Sequence, residues 1–111
     1  MAGAEILAMM IVGHMIADYP LQGDFLARAK NRMDAIPGVP WQHAMAAHSI
    51  IHGGFVGMIT GSVLLGLVET VMHFLIDDSK CRGQISYHED QSAHIMCKLI
   101  WAAVFVLTEG G

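Results

Sequence analysis

The apolar residues of this chain fall into four long runs, and the polar residues inside those runs recur four positions apart. Between Gln42 and Val68 there is no Asp, Glu, Lys or Arg. Leu99 to Thr108 is equally free of charge, and from Ile6 to Ala17 the only ionisable group is His14. A surface helix of a soluble bundle carries a charged outer face along its length; these runs have none. They predict four helices at 4–18, 41–59, 62–77 and 91–108. At ~1.5 Å per residue each is ~22–28 Å long, a little under the ~30 Å hydrocarbon core of a bilayer, a shortfall that polar ends or local thinning would absorb. A helix running unbroken from His43 to Phe74 would overshoot the bilayer, so Thr60-Gly61-Ser62 is the expected break: Gly ends one helix and Ser caps the next. Pro20 closes the first run. Gly23 to Met33 reads as a short amphipathic segment, and Ile36-Pro37-Gly38-Val39-Pro40 as a turn-rich entry to the second run. Residues 78–90 form the other polar loop.

Composition agrees with a membrane protein. Of 111 residues, 54% are apolar and 14% charged, and the mean hydropathy is +0.48; a soluble domain this small needs more charge to cover its surface. The length excludes a two-domain enzyme, and a net charge of -4 excludes a basic nucleic-acid-binding module. The expected fold is all-α, a single four-helix transmembrane bundle over residues 1–111. The first run, with Glu5 and no basic lead, reads as a retained span rather than a signal peptide. Arg28, Lys30, Arg32, Lys80 and Arg82 lie in the two polar loops. The positive-inside rule puts those loops in the cytoplasm and both termini on the other face of a bacterial inner membrane. Tyr19, Trp41 and Tyr87 sit where an interfacial aromatic belt belongs. Cys81 and Cys97, on or near the reducing side, are expected to stay free. Gly53, Gly57 and Gly61 form a small-residue face for close helix packing, and a candidate contact between copies of the chain.

The ladder of polar residues carries the chemistry. It consists of His14 and Asp18; His48 and His52; Glu69, His73 and Asp77; and Asp90 and His94. Residues i and i+4 share a helix face one turn apart, so each pair is able to grip a common ion. With alternating helix directions, all four groups fall at one level, in the cytoplasmic half of the bundle. Ionisable groups inside a membrane are costly unless paired or metal-bound, and convergence from several helices is how bundles build metal sites. Metal ligands are therefore expected at His14, Asp18, His48, His52, His73, Asp77 and His94. Imidazole and carboxylate without thiolate suit Zn²⁺ first, then Mn²⁺ or iron, as one or two ions. Glu69 and Asp90 are the candidate acid–base groups. Lys30, Lys80 and Arg82 are candidates for holding an anionic substrate at the mouth, with Gln22 and Gln91 orienting water or ligand. His43 and His88 fall outside the ladder. Cys97, three residues beyond His94, reads as a packing residue.

The string His14-Met-Ile-Ala-Asp18-Tyr-Pro-Leu-Gln22 with Lys30, then His48-Ser-Ile-Ile-His52, Glu69 through His73 to Asp77 and Lys80, and Asp90-Gln91-Ser-Ala-His94, resembles domain-of-unknown-function family 3307. This is a group of small bacterial and phage integral membrane proteins. The resemblance spans nearly the whole chain and implies a fold and a site, not an activity. The pairs His14/Asp18, His48/His52 and His73/Asp77 are more distantly similar to those of zinc-dependent phospholipase C and single-strand nucleases. This chain is far shorter and has no counterpart of their N-terminal amine ligand.

A membrane-embedded metal-dependent hydrolase of a phosphoester or lipid head group is the leading expectation. The alternatives are a metal-stapled membrane protein that binds a host or phage partner, and an ion or proton relay. A di-iron oxidase lacks its doubled ExxH pattern.

Overall fold

The computed structural model describes residues 2–109, which form five α-helices and one 3₁₀ turn: α1 (Gly3–Asp18), α2 (Gly23–Ala29), the turn (Arg32–Asp34), α3 (Trp41–Thr60), α4 (Val63–Cys81) and α5 (Tyr87–Glu109). The four long helices pack in a ring. Helix α1 touches α3 and α5, α4 touches the same two, and short α2 lies against α3. The bundle measures 48 × 23 × 21 Å.

Local chemistry explains the boundaries. Pro20 cannot continue α1, and the chain turns by 86° into α2 with Gly23 at a left-handed φ of 63°. The expected amphipathic segment from Gly23 to Met33 is two pieces, because the Asn31 side chain accepts from the Met33 N–H at 2.9 Å and starts a separate turn. The break at 60–62 has the expected form: Gly61 caps α3 at a left-handed φ of 71°, and Ser62 accepts from the Leu65 N–H at 3.1 Å. Helix α4 runs about a turn past residue 77, since Asp78 to Cys81 are polar yet still helix-compatible. Helix α5 begins a turn before residue 91, at a reciprocal cap: Glu89 N–H donates to Ser86 Oγ at 3.1 Å, and Ser86 N–H donates to Glu89 Oε1 at 2.9 Å.

Burial is inverted. Lys98 is 1% exposed and His48 fully buried, whereas Leu107 is 84%, Val63 78% and Met58 76% exposed. Ile6, Met10, Val56, Leu65, Cys97, Trp101 and Ala102 form an apolar core toward the end where α1 and α4 start and α3 and α5 finish. The other half of the bundle is filled by histidines and carboxylates. Of the four expected spans, one helix is by itself long and apolar enough to cross a membrane: Tyr87–Thr108, at a hydropathy of 1.4. Helices α1 and α2 meet that standard only together, across their bend. Both cysteines are free, and Cys97 packs in the apolar core.

The glycines expected to pack helices closely do so within the chain. A Cβ on Gly66 of α4 would lie 2.8 Å from the Gly53 carbonyl oxygen and 3.1 Å from the Gly57 Cα. These glycines therefore face α4 of their own chain, while Gly61 serves as a cap. The Gly66→Ala variant is expected to lose about 1–3 kcal/mol of stability, because backbone must shift to admit the methyl. Gly54, whose added Cβ would meet nothing within 4 Å, is the control. Gly54→Ala should match the wild type or gain up to ~1 kcal/mol from helix propensity, read by thermal unfolding of the purified proteins.

Candidate metal centre

All nine ladder residues come together in the polar half. Asp18, at the last turn of α1, is the hub. His52 Nε2 lies 2.9 Å from its Oδ1, His48 Nε2 3.3 Å from the same oxygen, and His14 Nε2 3.3 Å from its Oδ2. From α4, Asp77 Oδ2 stands 3.5 Å from His48 Nε2 and 3.9 Å from His73 Nε2. From α5, Asp90 Oδ1 is 3.2 Å from His94 Nε2. The imidazoles stack in the middle: His52 on His73 with centroids 3.6 Å apart, and His73 on His94 at 4.1 Å.

Much of this cluster is close without being hydrogen-bonded. Nε2 of His48 and both ring nitrogens of His73 are buried with no aligned partner, as are Nδ1 of His14, His48 and His94. The 3.3 Å separations from His48 to Asp18 and from His73 to Glu69 are proximity without alignment. Leaving buried polar atoms unsatisfied costs about 1–3 kcal/mol apiece, so the arrangement is unfavourable unless something occupies the space the donors face. Two groups of donor atoms lie mutually within 4.8 Å: Asp18, His48, His52 and His73, and Glu69, His73 and His94. The first is a four-donor N/O set of the kind that tetrahedral metal ions accept.

Glutamine 91 ties the carboxylates together. Its Oε1 is 3.0 Å from His14 Nε2, and its Nε2 donates to Asp18 Oδ2 at 3.2 Å and Asp90 Oδ2 at 3.1 Å. Gln22 donates to the Asp18 carbonyl at 3.2 Å. Above the cluster opens a small cleft of about 60 Å³, bounded by Asp18, Asp77, Asp90, Gln22, Gln91 and Lys80, with Lys30, Tyr19 and Tyr87 at its edge. The two tyrosine hydroxyls hydrogen-bond to each other across it. His43 and His88 are exposed and outside the cluster.

Three expected roles change. Lys30 is buried and donates to Asp77 Oδ2, so its charge neutralises a carboxylate of the cluster instead of waiting for an anion. Arg82 reaches back one turn to Asp78, 3.3 Å away, which leaves Lys80 as the cation of the mouth not bound to a carboxylate. Glu69, a candidate acid–base group, is held in a buried ion pair: its Oε1 accepts from Lys98 Nζ at 2.7 Å and from Trp101 Nε1 at 2.9 Å.

Lys98, Trp101 and Asp78 are site residues absent from the sequence reading. Lys98 was detectable. It is the one basic residue outside the polar loops, and it extends the Asp90–His94 spacing by four more positions. Asp78 accepts both arms of the Arg32 guanidinium, at 3.0 and 2.7 Å, and that guanidinium lies 4.1 Å over the Trp41 ring. This clamp ties the 3₁₀ turn to α3 and α4 at the rim.

Removing one partner of a buried ion pair strands the other charge, at about 3–5 kcal/mol. Lys30→Met is therefore expected to lower stability by that order. The double variant Lys30→Met/Asp77→Asn should recover most of the loss, as measured by thermal or denaturant unfolding.

No curated protein and no solved structure matches the chain. A family model does, over residues 6–110, nearly the full length and every residue of the cluster. The chain belongs to the protein family of unknown function DUF3307.

Proposed function

We propose that this protein is a membrane-embedded metalloprotein whose His/Asp cluster binds a divalent cation and hydrolyses a phosphoester, such as a lipid head group, at the cytoplasmic surface. The observation that carries the reading is the convergence of five buried histidines and four carboxylates inside a bundle whose outer face is apolar. In water such a distribution is upside down, because the hydrophobic effect drives apolar surface inward. In a bilayer it is the expected one, with ionisable groups turned to the bundle interior. The four-span reading rests on this exposure: Met9, Val12, Ile50, Leu64, Leu67, Val71 and Leu99 all point outward from α1, α3, α4 and α5.

Zinc is the first candidate for the donor set Asp18, His48, His52 and His73, with manganese or iron next. A bound ion of this class would polarise a phosphoryl oxygen and acidify a water. Asp90 sits at the floor of the cleft and carries an unpartnered buried Oδ1, a position from which it takes the proton of an attacking water. Gln91 holds Asp90 and Asp18 in register. Lys80 meets the anion at the mouth. His14, His94 and Asp77 complete the buried cluster around these donors, and Glu69 lies behind His73. The cleft is what favours an enzyme over a closed, structural ion.

Protein purified in mild detergent is expected to carry zinc or another divalent metal. Asp18→Ala and His52→Ala should each lower metal affinity at least ~10-fold, while His43→Ala leaves it unchanged. Asp90→Asn should retain the metal and lose hydrolysis of phosphodiester or phospholipid substrates by ~10²-fold or more. Metal bound by the wild type and lost in Asp18→Ala and His52→Ala, with no hydrolysis even in the wild type, would leave a metal-stapled binding protein.

Orientation follows from the basic loops. A cysteine placed beside Lys30 or at Gly83 should resist impermeant thiol reagents added to intact cells and react after lysis. Labelling of intact cells at both positions would reverse the topology.

A further inference from the structure

We infer that the centre holds one divalent cation and not two, because the ammonium of Lys98 takes the place of a second. The inference rests on the metal reading above and sharpens it. Two donor groups are available, and His73 belongs to both. The two nitrogens of an imidazole point in different directions, and in metal sites the one not bound to the ion is commonly fixed by a carboxylate behind the ring. His73 has a carboxylate behind it in this position, close but without an aligned hydrogen bond. Its Nε2 faces Asp77, 3.9 Å away, on the Asp18 side, and its Nδ1 stands 3.3 Å from Glu69 Oε2. Glu69 is pinned through its other oxygen by Lys98 and Trp101, at 2.7 and 2.9 Å. Glu69 is thus the carboxylate behind His73, and a cation already sits on its Oε1 beside the group Glu69, His73, His94.

Charge leads to the same number. Four carboxylates face the cluster: Asp18, Glu69, Asp77 and Asp90. Two have buried ammonium partners, Asp77 through Lys30 and Glu69 through Lys98. Asp18 and Asp90 make their side-chain contacts with histidines and Gln91 and with no ammonium. With neutral imidazoles the buried site therefore carries two uncompensated negative charges, which one divalent ion cancels. A second ion would leave net positive charge in an apolar surround, beside the Lys98 ammonium, where like charges repel far more than in water. Asp78 does not enter this balance, being bound to Arg32 and Arg82 at the rim.

The test is the zinc stoichiometry of the detergent-purified full chain, read by native mass spectrometry and elemental analysis during titration with zinc. Wild type is expected to saturate at one ion per chain. Lys98→Met, which keeps the stem and removes the charge, frees Glu69 as a ligand and halves the net positive charge that a second ion would leave, so it is expected to saturate at two. Two ions in the wild type, or one in Lys98→Met, overturns the inference while leaving a metal centre intact. No zinc in the wild type overturns the metal reading itself. Where Lys98→Met does not fold, Glu69→Gln/Lys98→Met removes the pair together and preserves the two uncompensated charges. That protein is expected to hold one ion, and its failure to do so also overturns the inference.

Discussion

Carboxylates buried behind an apolar exterior set the terms for the rest of this structure. A charge taken out of water costs several kcal/mol unless an opposite charge or a dense set of hydrogen bonds replaces the solvent. Here the replacements arrive from every part of the chain. Lys30 comes from the segment after α2 to meet Asp77 on α4, and Lys98 crosses from α5 to Glu69 on α4. Gln91 on α5 spans to Asp18 on α1. Each contact joins elements distant in sequence, so the polar interior determines the helix arrangement that the apolar faces leave open. Outward-facing Leu and Val do not discriminate one neighbour from another; a Lys that must find its carboxylate does.

That interior needs α3 and α4 unusually close, and the glycines allow it. With Gly53 and Gly57 against Gly66, the backbones approach where a single methyl would collide. The histidines one to two turns along then stack, His52 on His73 at 3.6 Å. The close approach lies toward the half that holds the apolar core; the stack lies toward the cleft. Packing at one end thus fixes ligand geometry at the other, and a defect in the glycine contact reaches the cluster without touching any ligand.

Much of this was legible beforehand, for a physical reason. The spacing of four in His14/Asp18, His48/His52 and Glu69/His73/Asp77 fixes a helix face whatever the tertiary context, and the alternation of helix directions fixes the level. Both are properties of the chain alone. The Thr60-Gly61-Ser62 break was equally readable, since its capping chemistry is local. Pairing was not. Lys30 and Arg82 looked like free cations because sequence proximity places them in loops, whereas Lys30 folds inward onto Asp77 and Arg82 back onto Asp78. Glu69 looked isolated because its partners Lys98 and Trp101 lie about thirty residues away, on another helix. Apolar runs also overstated the individual spans: α3 and α4 read as continuous apolar stretches, yet their histidines and carboxylates lower the hydropathy that each would need by itself.

The apolar exterior then does more than suit a bilayer. On the proposed reading, an ion among Asp18, His48, His52 and His73 would sit where packed helices and the surrounding bilayer exclude water on every side but the cleft, and electrostatic interactions there would be stronger than at a solvated surface. The same exclusion that makes unpaired carboxylates costly makes a fixed cation a stronger polariser of whatever anion reaches it. It also limits what can arrive. The opening is bounded by Asp18 and Asp90, by Asp77 with its partner Lys30, and by Lys80, so an anion approaching the site without a cation in place meets a net negative charge. With the two uncompensated charges cancelled, Lys80 and the ion remain, and the mouth changes from repelling an anionic group to accepting it. On the proposed reading, metal occupancy and substrate access would therefore be coupled through charge, with no movement of the helices required.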